Sequence, residues 1–206
     1  MSPRNMQFGR EEIIDAAFDL VREKGWAGFS VQAVGKAINC STMPIYSQFA
    51  NVRELEDAVC LKAMVLLKER LMEKKTGDKW IDQAISYIRF AMEEKHLHRC
   101  LWDARNVELN RKLGKELVDF ISEELTDYPL FVGLDELEVK MIRLSRMMFA
   151  QKLAAWLNCD SNYLSDKGIN DLEDFIKRTS KALYDGFRLQ FAGSNVGGQV
   201  ESAPGR

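Results

Sequence analysis

Six positions between residues 41 and 48 carry groups that can read a nucleic acid. Ser41, Thr42, Tyr46 and Ser47 bring hydroxyls, Gln48 brings an amide, and Met43 brings a long apolar arm. A glutamine amide can make a bidentate contact to adenine, and a methionine side chain can pack on a thymine methyl. Thr42, Met43, Ser47 and Gln48 are therefore candidates for contact with base edges. Tyr46, Ser41, Lys36 and Arg53 carry hydroxyls or cations suited to phosphate oxygens. The competing reading of Ser47 and Gln48 is a polar helix face that does nothing but meet water.

A second group with possible chemistry lies at His96, His98 and Cys100. Two imidazoles in a His-x-His pair point to different faces of a helix, so a zinc site there would need ligands from elsewhere. Solvated or hydrogen-bonded histidines are the plainer expectation, with redox or metal sensing by these three residues left open. The chain has no GxSxG, no HExxH and no phosphate-binding glycine loop. Neither an enzyme, nor a metal, nor a cofactor is expected.

The elements that must position residues 41–48 are two short helices and the turn between them. Ser30 can cap a helix whose apolar residues Val31, Val34 and Ile38 share one face through spacings of three and four. Asn39 and Cys40 interrupt that pattern, and Ser41 can cap the next helix. Pro44 falls in that helix's first turn, where its missing N–H would have gone unpaired anyway. Ile45 and Phe49, four apart, point inward. Asn51 with Glu54 offers a capping box for a third helix. Two short helices joined by a tight turn form the helix-turn-helix pattern, whose second helix fits a DNA major groove. An ordinary helical corner would look much the same in sequence.

Composition sets limits on partners. Of 206 residues 46% are apolar and 29% charged, ordinary proportions for a globular chain able to bury a sizeable core. No run of 18 apolar residues exists, so no membrane span is expected. The four cysteines, Cys40, Cys60, Cys100 and Cys159, are scattered without a CxxC, and the N-terminus lacks an apolar signal segment. Buried thiols in a reducing cytoplasm fit this pattern. Net charge is -2, and residues 1–57 hold six Lys/Arg against eight Asp/Glu. Strong non-specific attraction to DNA is therefore not expected, and placement of Arg4, Arg10, Lys36 and Arg53 must matter more than the sum.

Along the chain, residues 1–9 read as an arm and Arg10–Lys24 as an amphipathic helix that Gly25 can end in a left-handed conformation. Trp26 and Phe29 can plug the junction that follows. Longer helices are expected over about 51–75 and 78–95, a short one over 96–104, and another over 107–126. The segment 134–157 carries two apolar stripes, Leu134/Leu137/Met141/Leu144/Met148 and Ile142/Phe149/Leu153/Trp156. A helix apolar on two sides needs two partners, one of which can be a second copy of the chain. Asn170 and Glu173 offer a capping box for a last helix over 170–191, with Ala182 and Gly186 allowing a close helix contact. The tail 193–206 lacks periodicity and is expected to be disordered. Met64, Leu67, Ile88, Met92, Cys100, Trp102, Phe120, Met141, Leu144 and Met148 are candidate walls of an effector pocket between helices. Plain core is the alternative for each.

The stretch REEIIDAAFDLVREKGWAGFSVQAVGKAINCSTMPIYSQFANVRELE closely resembles the start of the TetR family of one-component transcriptional repressors. Arg10, Ile14, Ala16, Ala17, Leu20, Gly25, Ser30, Val31, Val34, Ala37, Ser41, Ile45, Tyr46, Phe49 and Leu55 carry the likeness. Beyond residue 55 only the number of helices and the lengths of the last two agree. The resemblance implies an all-α fold of about nine helices. It comprises a helix-turn-helix DNA-binding domain (1–50) and an effector-binding and dimerisation domain (51–192). The last two helices of each chain would pair in a four-helix bundle, giving a cytoplasmic bacterial homodimer. It also implies that Tyr46 contacts phosphate and that Ser41 and Thr42 sit where relatives touch backbone or bases. The chain departs from the family's frequent Gly-Val before the recognition helix (here Asn39-Cys40), from its glycine in that helix (here Met43), and from its Ser-Lys-Glu start to helix 4 (here Asn51-Val52-Arg53-Glu54). Three functions follow as expectations. They are a repressor of a palindromic operator released by a small apolar effector, a regulator of the same fold acting through a protein partner or without an effector, and an unrelated helical scaffold.

Overall fold

Every described element is helical, as the spacing of apolar residues requires. The structure, a computed structural model, describes residues 8–103, 105, 107–158 and 168–194, and within the last helix the side chains of 172–191. Cys159 and the tail beyond residue 194 lie outside the described residues, as does the arm up to residue 7. The helices are α1 (Arg10–Lys24), α2 (Val31–Ala37), α3 (Met43–Gln48), α4 (Val52–Leu71), α5 (Lys79–Glu93), α6 (Lys95–Leu101), α7 (Val107–Glu124), α8 (Glu136–Leu157) and α9 (Gly168–Ser194). Short 3-10 turns lie at Trp26–Gly28 and Pro129–Phe131. Among the described residues no helix is long and apolar enough to cross a membrane.

The chain divides into two compact units. One comprises residues up to Leu71 together with Arg89–Asp119, and the other Met72–Ile88 together with everything from Phe120. In the first unit, α1 packs on α2, α4 and α6. Ile13, Ala17, Val21, Val34, Leu55, Val59, Leu67 and Leu97 are all fully buried there. Along α1 and α4 they fall four or eight apart, so burial follows directly from the amphipathic pattern. Arg22 grips the nearly buried Glu94 through two parallel hydrogen bonds, one of them 2.8 Å from Nε. This bidentate geometry is the strongest form of carboxylate recognition, and it ties α1 to the start of α6.

Gly25 ends α1 with φ +64° and ψ -170°. The expected left-handed cap is thus replaced by a positive-φ extended conformation, which is still more restricted to glycine. A Cβ at Gly25 would also lie 2.9 Å from His96 Nδ1, so the residue permits close approach of α6.

The second unit is built around Trp80, Leu125, Leu130, Ile142 and Phe191, with Tyr128, Phe131, Tyr184 and Phe187 packed against them. Asp78 accepts from the free backbone N–H groups of Trp80 and Ile81 and so caps α5, while also receiving the Tyr128 hydroxyl. Arg146 lies over the Trp80 ring at 4.1 Å and donates to Trp80 O and Gln83 Oε1. On α8, Ile142, Leu153, Ala154 and Leu157 are buried while Leu137, Met141, Leu144 and Met148 are exposed. The expected stripes divide only in part, since Trp156 of one is exposed while Leu134 of the other precedes α8 and packs on the core. On α9, Leu172, Ile176 and Phe191 are buried, whereas Phe175 and Leu189 are exposed.

Several expected ends shift. α4 stops at Leu71 and not near residue 75. α9 begins at Gly168, which places Asn170 inside the helix and not at its cap. Asp135, which the apolar pattern did not single out, caps α8 by accepting from Glu138 N at 2.9 Å, and Glu138 returns the bond to Asp135 N.

Candidate nucleic-acid interface

α2 starts as its sequence dictates, with Ser30 Oγ accepting from Ala33 N at 3.0 Å. The turn after it has Asn39 at φ +54°, the left-handed conformation that asparagine tolerates better than most residues. The chain then folds back so closely that Cys40 N donates to Gly35 O at 2.8 Å. A Cβ at Gly35 would stand 2.9 Å from the Cys40 carbonyl oxygen. Gly35 is thus a requirement of the turn that apolar spacing did not reveal.

α3 is capped by Thr42, not Ser41, and Thr42 makes no side-chain cap bond. Pro44 sits in its first turn as expected. Ile45 and Phe49 are 1% and 2% exposed and anchor the helix, while Met43 and Tyr46 are 78% and 53% exposed. Two large side chains three residues apart thus stand in water on a short, anchored helix. Ser41 and Ser47 are exposed beside them, and Thr42 and Gln48 are half-buried. Ser47 Oγ donates back to Pro44 O at 2.7 Å, leaving its lone pairs as acceptors.

The C-terminal end of α3 is held by Arg10. Its guanidinium donates to Gln48 O and to Glu54 Oε1 at 2.8 Å, and stacks on the Phe49 ring at 4.1 Å. One side chain of α1 thereby fixes the end of α3 and the start of α4. Glu54 also accepts from Ala50 N at 2.8 Å, and its own N–H donates to Asn51 Oδ1 at 3.0 Å. The Asn51 cap is formed, but the reciprocal arm of the box lands on Ala50. These bonds from Ala50 N and then Arg10 hold the Glu54 carboxyl below its usual range.

The cations are placed unequally. Lys36 is exposed on α2 and makes no ion pair among the described residues. Arg53 instead turns to its own unit, pairing with Asp57 at 3.3 Å and Glu56 at 3.9 Å and donating to Arg105 O at 2.8 Å. Arg10, considered above for phosphate, is committed to α3 and α4.

The candidate pocket residues separate as well. Met64, Leu67, Cys100 and, in the other unit, Ile88 are buried, while Met92, Trp102 and Phe120 are half-buried. Met141, Leu144 and Met148 face solvent in the single chain. Of these candidates Cys100, together with Cys60 and Arg53, lines a small solvent-open cleft in the first unit. Among the described residues no three His, Cys, Asp or Glu side chains converge as a metal-holding group. His98 is buried, and burial followed by the charge of Arg99 pushes its pKa down to about 4, so it is neutral. His96 is half-buried against Gly25.

No protein-family model matches the sequence, and no curated protein sequence matches it. Solved structures do. A tetR-family transcriptional regulator from Streptomyces coelicolor is 17% identical, covers 85% of this chain and 82% of its own, and superposes with a TM-score of 0.67. A protein with unknown function from Rhodococcus sp. RHA1 is 16% identical with a TM-score of 0.64, over 90% of this chain and 98% of that one. The fatty acid degradation regulator FadR from Bacillus halodurans is 21% identical with a TM-score of 0.55, over 86% and 99%. The fold is TetR-like: all-α, with a helix-turn-helix followed by a helical bundle.

Proposed function

We propose that the chain is a transcriptional repressor that binds a palindromic operator as a homodimer and is released by a small, largely apolar effector held within residues 51–192. The observation that carries this reading is α3. Its inner residues Ile45 and Phe49 are buried, its end is locked by Arg10, and Met43 and Tyr46 stand in water. Such a helix is preorganised to enter a major groove, where Met43, Thr42, Ser47 and Gln48 meet base edges and Tyr46, Ser41 and Lys36 meet phosphates. Arg53 reaches phosphate only by exchanging its partners Asp57 and Glu56.

Dimerisation is supported by the bare apolar stripe of α8 and by Phe175 and Leu189 of α9. Two-fold pairing of these faces would present two copies of α3 to half-sites about 34–36 Å apart or a multiple of that spacing. Effector control needs a ligand that binds the non-operator arrangement more tightly. Within the first unit, α4 and the Arg22–Glu94 and Gly25–His96 contacts give such a change a rigid route to α1 and α3. The effector reading rests on the TetR-like fold together with the apolar candidates above.

The test is fluorescence anisotropy on DNA selected from a random pool. Loss of one good base contact costs about 1–3 kcal/mol, so Gln48→Ala or Met43→Ala should weaken binding roughly 5- to 150-fold. Unchanged affinity in both variants would remove α3 as the reading element.

A further inference from the structure

Cys60 of α4 and Cys100 of α6 lie with their sulfurs 3.0 Å apart. They are 6% and 1% exposed, 40 residues apart in sequence, and neither has a role in the operator-binding reading. Both nevertheless line the solvent-open cleft bordered by Trp26, Arg53, Asp103 and Arg105. Buried thiols are inert when sealed, but these two are adjacent to each other and line a cleft that is open to solvent. A disulfide needs the sulfurs to close by only about 1 Å, which rotation about two side chains and a small helix shift can supply.

We propose that Cys60 and Cys100 form a reversible disulfide site whose oxidant is a small hydroperoxide entering through this cleft. Cys60, the more exposed sulfur, attacks the peroxide. Its S–O bond forms as the O–O bond breaks, and the thiol proton leaves with the alcohol or water released. The Cys100 sulfur then displaces the oxygen of the Cys60 sulfenic acid, forming the S–S bond, and its own proton departs in the second water. In sum, two thiols and one hydroperoxide give one disulfide, one alcohol (or water) and one water. The hydrogen bond to Cys60, and then burial, hold the Cys100 thiol protonated, which disfavours it as the opening nucleophile and makes loss of its proton to the departing oxygen part of the second step. The bond replaces a packed contact between α4 and α6 by a covalent one. Both helices pack on α1, so oxidation fixes the platform on which α1 and α3 rest. That last consequence depends on the DNA-binding reading, whereas the site itself does not.

The experiment uses the full chain, reduced, then treated with hydrogen peroxide, quenched, and alkylated under denaturing conditions for peptide mapping. A Cys60 peptide joined to a Cys100 peptide is expected, about 2 Da lighter than the two thiol peptides and separated again by dithiothreitol. The link should persist in Cys40→Ser and vanish in Cys60→Ser. Full alkylation of both Cys60 and Cys100 under peroxide that oxidises the partly exposed Cys40 would overturn the proposal, and no variant is needed for that result. For the consequence, oxidised and reduced protein are compared on selected DNA, with a change of about threefold or more expected and reversed by dithiothreitol. Linked protein with unaltered affinity would overturn the regulatory role. A chain that binds no DNA in either state but forms the link would overturn the function proposed above and leave the site standing.

Discussion

Arg10 carries more of the helix-turn-helix than its place at the first position of α1 suggests. It meets Gln48 O, Glu54 and the Phe49 ring at once, across sequence separations of 38 and 44 residues. About 40% of the Arg10–Glu54 pair is exposed, so the ion pair is worth little by itself. With the stacking added, Arg10→Ala should cost about 1 kcal/mol in urea unfolding. It should weaken DNA binding by more than that, because the end of α3 loses its anchor. Gly35→Ala is expected to be worse. Its Cβ would meet a backbone oxygen at 2.9 Å, and forcing that contact should cost about 1–3 kcal/mol. His98 sets a pH dependence. Its pKa falls from an ordinary 6.5 to about 4 in the folded state, so the unfolded chain binds the proton first as pH drops. The stability tied to neutral His98 is complete above about pH 6.5 and is lost as pH falls through about 4, amounting to up to about 3 kcal/mol. His98→Gln should flatten that part of the denaturation curve. These residue-scale facts were unevenly legible. Ser30, Asn39 and Asn51 act on neighbours within four positions, so their roles could be read from local spacing. Arg10 and Gly35 act through partners that only the folded chain supplies, as does Arg53 in its bond to Arg105 O.

At the scale of elements, the helices were legible because spacings of three and four fix which residues are buried. Their ends were less so. Thr42 replaced Ser41 as the start of α3, and Asp135 capped α8, because several polar residues near each boundary have capping capacity and tertiary packing chooses among them. The two-sided pattern of α8 was visible in sequence, and it leaves Leu137, Met141, Leu144 and Met148 exposed. Met141, Leu144 and Met148, expected as pocket walls, belong to this exposed stripe, and periodicity shows that a stripe is apolar without showing what covers it. If that stripe pairs with its two-fold mate, a single buried charge there is doubled by symmetry and cannot be solvated. Met148→Glu should therefore give a folded monomer by light scattering at concentrations where the parent is dimeric. A dimer that tolerates Met148→Glu and Leu137→Glu together would place the interface elsewhere.

For the whole molecule the question raised by the operator-binding proposal is how an acidic chain would hold DNA. Residues 1–57 carry six basic and eight acidic side chains, and Arg10 and Arg53 are already engaged by Glu54, Glu56 and Asp57. Affinity must then come from a few placed contacts presented twice, and not from a field. Lys36→Ala should weaken all sequences alike and lower the log-affinity against log-salt slope by about one per chain. The overall fold was legible from the first 55 residues through their family likeness, but an operator is not, since the exposure of Met43 and Tyr46 names no base. The central claim is most directly tested by selecting bound sequences from a random DNA pool with the full chain and sequencing them. The account predicts enrichment of a two-fold palindrome with half-sites about one helical turn apart or a multiple of it, lost with Gln48→Ala and with Met148→Glu. A pool that stays unenriched, or one enriched equally by the Gln48→Ala and Met43→Ala proteins, would contradict it.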